Sequence, residues 1–341
     1  MASDLARLIR IRRTGMTTGL VFGKFYPPHR GHKHLIDRAA TLCDHLTVMV
    51  MAAGNEDIPG DLRTAWLRET HPNVTVLHTP YALRQSWPEE DEISWARFTA
   101  FVRTYHPERI DRVFTSEWYG PSAARRLRAE HVSVDPQRRT VPISSTLVRQ
   151  SPWRYAAYLE PCVRAYYVKR VVLCGAESTG KTTLAQELAQ IFETAWVTEY
   201  GREFSDAAGH TIERPHAWRP EDFAAIAGEQ ERRIGNASRS ANRLVICDTD
   251  ALATQVWQER YLGEQVHYPY PRAHLYLLTD PGIPFVQDGT RDGERYRAWM
   301  TQRFRDVLAA EGLPFSEISG GREARRGAAI EAIERHALRP G

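Results

Sequence analysis

The stretch Lys169–Leu184, KRVVLCGAESTGKTTL, constrains this chain more than any other. The apolar run Val171–Cys174 reads as a buried strand, Gly175–Thr182 fits G-x-x-x-x-G-K-[ST], and Leu184–Phe192 continues with apolar residues at helical spacing. Strand, loop and helix in this order make a cradle for polyphosphate. Gly175 and Gly180 let the backbone around Glu177, Ser178 and Thr179 wrap the anion, and the helix start adds partial positive charge. Lys181 reaches the β/γ-phosphates, and Thr182, followed by Thr183, offers a hydroxyl to Mg²⁺. The second half of the chain is therefore expected to bind a nucleoside triphosphate.

At 341 residues the chain is long enough for two domains, each with its own core. Hydrophobic residues at 42% and charged residues at 26% are those of an ordinary globular protein. A net charge of +3, from 45 basic and 42 acidic residues, gives no polyanion signal, so no nucleic-acid partner is expected. Cys43, Cys162, Cys174 and Cys247 are scattered without metal-ligand spacing, and reduced thiols in a cytoplasmic protein are the expected state. No apolar run reaches membrane-spanning length. Residues 1–17 read as a short basic tail, too short before Gly19 for a helix-turn-helix domain. Oligomeric state, including a homo-oligomer, is left open.

In the first half, the apolar run Gly19–Phe22 leads through Gly23, Lys24 and Phe25 into YPPHRGH. His29 and His32 sit three apart where a loop enters a helix, so two imidazoles can meet phosphate oxygens at a helix N-terminus. Lys24, just before the turn, is placed to reach phosphate as well. Further on, TVPISSTLVR sets Ser144, Ser145 and Thr146 ahead of a helical turn with Arg149 one turn beyond. A strand followed by H-x-G-H and a closing I-S-S-T-x-x-R, with alternating strand and helix signals between them, resembles the nucleotidylyltransferase superfamily. The resemblance implies a Rossmann-like parallel sheet on which both motifs grip the triphosphate of ATP. Trp87 and Trp95 flank the acidic EEDE loop; either could stack on a flat ligand or pack in the core.

After the phosphate loop, Ala195–Thr198 reads as a strand followed by EYGREF, and Leu244–Cys247 as a strand running into Asp248, Thr249 and Asp250. An apolar strand ending in aspartate is suited to hold Mg²⁺ through Asp248, while Asp250 could instead cap the next helix. The segment DPGIPFVQDGTRDGERYR, with Arg291, Arg295 and Arg297, resembles the lid of a small P-loop kinase.

The order of these pieces resembles the NadR-type bifunctional enzymes of NAD synthesis, on GKFYPPHRGH, the VDP of Val134–Pro136, the aromatic junction, GAESTGKTTL, EYGREF and DTD. The resemblance implies an α/β protein of two parallel-sheet domains, with a nucleotidylyltransferase domain over 18–165 and a P-loop ribosylnicotinamide kinase domain over 166–341. It further implies ATP and Mg²⁺ at both sites, with ribosylnicotinamide, nicotinamide mononucleotide and NAD as ligands. A DNA-binding domain found in some members has no counterpart, which sets the resemblance against a repressor role. For the kinase, Glu199 is the first candidate to deprotonate the acceptor hydroxyl and Asp250 the second. Tyr200 and Arg202 are candidates for substrate contacts, Arg202 against the product phosphate. Trp257, two helical turns beyond Asp250, could stack on nicotinamide or pack in the core. Two other readings stand beside the enzyme: a nucleotide-sensing regulator with one inactive half, and the same chemistry on another acceptor.

Overall fold

In the computed structural model, which describes residues 15–82 and 91–338, the chain divides between Arg164 and Ala165 into two units. Each is built on its own five-stranded parallel sheet.

The first unit contains β1 (Thr18–Gly23), β2 (His45–Met51), β3 (Thr75–Thr79), β4 (Arg112–Thr115) and β5 (Glu130–Ser133), in the order β3-β2-β1-β4-β5. Helices α1 (Arg30–Ala40), α2 (Gly60–Thr70), α3 (Glu92–Tyr105) and α4 (Gly120–Leu127) connect them. Leu20, Phe22, Met49 and Met51 face Phe98 and Val102 on one side, and Val21, Val48 and Val50 face Leu35, Ile36 and Leu67 on the other. Covering both faces is why β1 and β2 read as unbroken apolar runs. Because the chain winds outward from β1 in one direction and then in the other, a crevice opens at the carboxyl ends of β1 and β4.

Trp95 lies in this core and not in the crevice. It is 1% exposed, with the Phe98 ring at 5.9 Å and the Arg126 guanidinium 4.8 Å over its face, so it packs α3 against the sheet. Trp87 lies outside the described residues. The aromatic junction runs from α5 (Ser145–Gln150) through turns and a 3₁₀ segment at Ala156–Tyr158 to α6 (Pro161–Ala165).

The second unit contains β6 (Lys169–Cys174), β7 (Trp196–Val197), β8 (Leu244–Cys247), β9 (Leu275–Thr279) and β10 (Phe315–Ile318), in the order β10-β9-β6-β8-β7. Its helices are α7 (Lys181–Ile191), α8 (Tyr200–Ala207), α9 (Pro220–Ser238), α10 (Ala251–Leu262), α11 (Arg297–Ala310) and α12 (Arg322–His336). Val171, Leu173, Leu184, Leu188, Ile246, Leu277 and Ile333 fill one face of the sheet. β6 occupies the centre, so the loop that follows it stands over the middle of the carboxyl edge. No helix among the described residues is long and apolar enough to cross a membrane.

Candidate active sites

The carboxyl ends of β1 and β4 open on a cleft of about 620 Å³ that both histidines, Lys24, Ser144, Ser145, Thr146 and Arg149 line. His29 is the N-cap of α1, and its Nδ1 accepts from the backbone N–H groups of Gly31 (3.1 Å) and His32 (3.4 Å). That fixes the tautomer: the ring proton sits on Nε2, which is left to donate to a ligand oxygen. A Cβ at position 31 would lie 3.0 Å from the His29 ring, so glycine there admits the capping imidazole. His32 stacks on His29 with centroids 3.8 Å apart and meets the edge of Phe25 at 4.9 Å. Burial, with Arg138 beside it, lowers His29 to about 4. Burial also holds His32 well below its ordinary value, with His29 and Arg138 adding. Both imidazoles are therefore neutral donors near pH 7, not fixed cations.

The two motifs are joined directly. Ser145 Oγ donates to the Pro27 carbonyl at 3.0 Å, and the Arg149 guanidinium donates to the Tyr26 carbonyl and lies 4.5 Å over the Tyr26 ring. Ser144 caps α5 by accepting from the Leu147 N–H at 3.3 Å. These hydroxyls thus shape the loop as well as bordering the cleft, a double role that spacing alone does not show.

Two arginines escaped the sequence reading. Arg63 is fully buried; it donates to the Lys24 carbonyl (2.7 Å) and to Glu56 (2.5 Å), and Glu56 also holds Lys24 Nζ at 3.3 Å. The position of Lys24 therefore rests on a carboxylate on the loop after β2. Arg138 borders the cleft because Asp135 folds the loop around itself, accepting from the N–H groups of Arg139 (2.8 Å), Thr140 and Val141 (both 3.1 Å). Within the VDP motif, that aspartate was the available signal.

In the second unit the phosphate loop takes left-handed backbone at Gly175 (φ 137°), Ser178 (φ 56°) and Gly180 (φ 79°). At Gly175 a Cβ would also come within 2.8 Å of the Thr279 carbonyl, so only glycine fits. Lys181 is buried, and its Nζ donates to the carbonyls of Gly175 (3.1 Å) and Ala176 (2.8 Å). Thr179 Oγ1 is engaged with Ala176 and Thr279, while Thr183 is exposed at the start of α7. Arg325, which the sequence reading passed over, braces the loop by donating to the Thr179 carbonyl at 2.9 Å.

Thr182 Oγ1 donates to Asp248 Oδ2, whereas Asp248 Oδ1 is buried without a partner. A buried carboxylate oxygen with an open lone pair beside a threonine hydroxyl is an all-oxygen donor set suited to Mg²⁺. Glu199, the residue before α8, takes no hydrogen bond among the described residues and lines the adjacent pocket. Burial pushes its carboxyl up to about 7; Lys181 draws it back, and Asp248 and Glu177 push it further.

The remaining candidates are divided between the pocket and its surroundings. Asp250 does not line the pocket: its carboxylate caps α10 by accepting from Ala253 N–H (3.0 Å) and from Tyr276 Oη (2.7 Å). Tyr200 is turned to Arg233, whose guanidinium lies 4.5 Å over its ring. Of the lid arginines, Arg291 lines the pocket, but Arg297 is tied to the carbonyls of Ser178 and Ile283 and Arg295 lies over the Tyr296 ring. Arg202 lines the pocket and pairs with Asp288 at 2.5 Å. Trp257 also lines it, with the Arg260 guanidinium 5.1 Å from its ring. Glu177 accepts from the Gly293 N–H at 2.7 Å, which ties the phosphate loop to the lid segment. Trp218 and His210 complete the wall and were missed by the sequence reading.

Comparison with known proteins divides the chain in the same way. Residues 20–151 match the cytidylyltransferase-like family, and residues 170–325 match an AAA domain. The chain is 31% identical over 309 residues to the trifunctional NAD biosynthesis/regulator protein NadR of Escherichia coli (strain K12), covering 82% of this chain and 72% of that protein. It is 30% identical to the protein of that name from Salmonella typhimurium, covering 80% and 71%. Two crystal structures share the fold: NadR protein in complex with NR (TM-score 0.71, 22% identity) and in complex with NAD and AMP-PNP (TM-score 0.73, 21% identity). Each covers 96% of this chain and 98% of the solved one.

Proposed function

This chain belongs to the NadR family, and on that premise we propose that it is a bifunctional enzyme of NAD synthesis. The kinase, over 166–341, phosphorylates ribosylnicotinamide with ATP to nicotinamide mononucleotide; the adenylyltransferase, over 18–165, joins that product to ATP, giving NAD and pyrophosphate. The observation that carries this reading is the pairing of two separate phosphate sites, one on each sheet, with an unpartnered carboxylate, Glu199, in a pocket beside the second. The free thiols suit a cytoplasmic enzyme.

In the kinase, Glu199 accepts the proton of the acceptor 5′-hydroxyl as its oxygen attacks the γ-phosphorus. Lys181 releases the loop carbonyls for phosphate oxygens, and Arg202 and Arg291 neutralise charge from the lid side. Asp248 and Thr182 would hold Mg²⁺, which when bound offsets phosphate charge. Trp257 lies against the nicotinamide ring. In the transferase, the 5′-phosphate of the mononucleotide displaces pyrophosphate from the α-phosphorus of ATP in line. There Nε2–H of His29, with His32, Lys24 and Arg149, donates to oxygens that gain charge.

Incubation with ATP-Mg²⁺ and ribosylnicotinamide, resolved by chromatography, should show nicotinamide mononucleotide appearing first and NAD after it. A protein that binds both nucleotides but turns over at only one half would instead be a nucleotide-sensing regulator. Glu199→Gln keeps shape and loses basicity, so kinase kcat should fall about 10²-fold with ATP binding retained. An unchanged kcat would leave only positioning by Lys181 and Asp248 as the kinase contribution.

A further inference from the structure

Helix α8 follows Glu199, and beyond its end at Ala207 His210 folds back onto it, the His210 N–H donating to the Ser205 carbonyl at 3.0 Å. Glu199 and His210 line one pocket, and from His210 the rings run through Trp218 (6.0 Å from His210) and Tyr261 (5.2 Å from Trp218) to Trp257 (6.2 Å from Tyr261). An acceptor whose 5′-hydroxyl meets Glu199 and whose ring lies against Trp257 directs its base toward this aromatic end.

The chemistry of that end is specific. His210 is 5% exposed, its ring 6.0 Å from Trp218, and its Nδ1 accepts from the His216 N–H at 3.0 Å. A backbone amide can only donate, so the imidazole proton is on Nε2. Among the described residues no acceptor meets that N–H, and the ring lines the pocket, so the donor is open to a ligand there. Asp206, four residues earlier on the last turn of α8, also lines the pocket, and its carboxylate takes no hydrogen bond among the described residues. One end of the pocket thus offers a donor held in place by the His216 N–H and, on the exposed last turn of α8, an acceptor close to it in the chain.

We propose that His210 and Asp206 are the specificity-determining residues of the kinase, reading the carboxamide of the acceptor's pyridinium ring. His210 Nε2–H donates to the amide oxygen and Asp206 accepts from the amide N–H₂. The inference rests on the ribosylnicotinamide reading above. An amide presents an acceptor and two donors, whereas a carboxylate presents acceptors alone and would face Asp206 as a like charge. The pocket therefore selects ribosylnicotinamide over nicotinic acid riboside, because a site built for particular hydrogen bonds rejects the analogue that leaves them unmade.

The test uses the full chain and three acceptors: ribosylnicotinamide, nicotinic acid riboside, and pyridine riboside, which lacks the exocyclic group. His210→Ala should lower kcat/KM for ribosylnicotinamide about tenfold or more, mainly through KM, and leave pyridine riboside unchanged. His210→Gln, which keeps an N–H donor, should recover part of the loss. Asp206→Asn should raise kcat/KM for nicotinic acid riboside about tenfold, with KM for ATP unchanged. If His210→Ala loses the same factor on ribosylnicotinamide and pyridine riboside, or Asp206→Asn leaves the selectivity where it was, the inference is overturned while the functional reading stands. A wild-type enzyme that phosphorylates none of the three overturns both.

Discussion

Lys181→Ala should lower the rate of nicotinamide mononucleotide formation about 10²–10³-fold, the loss that follows removal of one preorganised charge-stabilising donor. The effect has two parts. The ammonium that would bridge the transferring phosphate is gone, and so is the positive charge that draws Glu199 and Asp248 back toward ionisation. Without it both carboxyls rise further, so the base is more often protonated and the metal ligand less often charged. Conversion of supplied nicotinamide mononucleotide to NAD should stay within about twofold of wild type, because the variant changes only the second unit and every transferase residue named above lies in the first. Separate assays of the two half-reactions check both statements. A comparable loss in both would show that one site serves the two reactions.

His32→Ala should do the reverse, lowering adenylyl transfer about 10²–10³-fold and leaving the kinase unaffected. Its imidazole is buried between His29 and Phe25, and its Nδ1 has no protein partner, so its hydrogen-bonding capacity is available to a ligand. Removing it also unseats the stacked His29 ring. His32→Asn, which keeps an N–H donor of similar reach, should recover part of the rate, whereas a purely packing role would be better served by leucine. Steady-state rates for the three variants, with urea unfolding as the control for stability, separate the two roles. Full activity in His32→Ala would leave His29 and Arg149 as sufficient.

What the sequence made legible was whatever a few contiguous residues decide. G-x-x-x-x-G-K-T fixes a backbone conformation locally, and H-x-G-H places a cap at the first turn of a helix, so both were readable from spacing. The central strands were visible because burial on both faces demands unbroken apolar runs. β5 (EHVS) and β10 (FSEI) were missed because their burial is partial and no apolar run forms. Fates that depend on distant partners were not legible. Asp248 and Asp250 are two residues apart in one motif, yet the first keeps an oxygen open and the second is engaged by a helix cap and Tyr276, a residue on another strand. Trp95 and Trp257 offer the same side chain to a reader of the sequence. Packing against Phe98 buries one, and the edge of a pocket exposes the other. Arg63, Arg138 and His210 acquire their roles only when a buried carboxylate, an Asp-centred loop and a backbone amide respectively hold them in place.

The central claim, that two independent sites act in sequence on a diffusible nucleotide, is tested most directly by mixing the Lys181→Ala and His32→Ala proteins with ribosylnicotinamide and ATP-Mg²⁺. Alone, the first should leave ribosylnicotinamide unconverted and the second should accumulate nicotinamide mononucleotide; mixed, they should make NAD. Absence of NAD from the mixture, with each variant folded and its own half-reaction intact, would contradict the account.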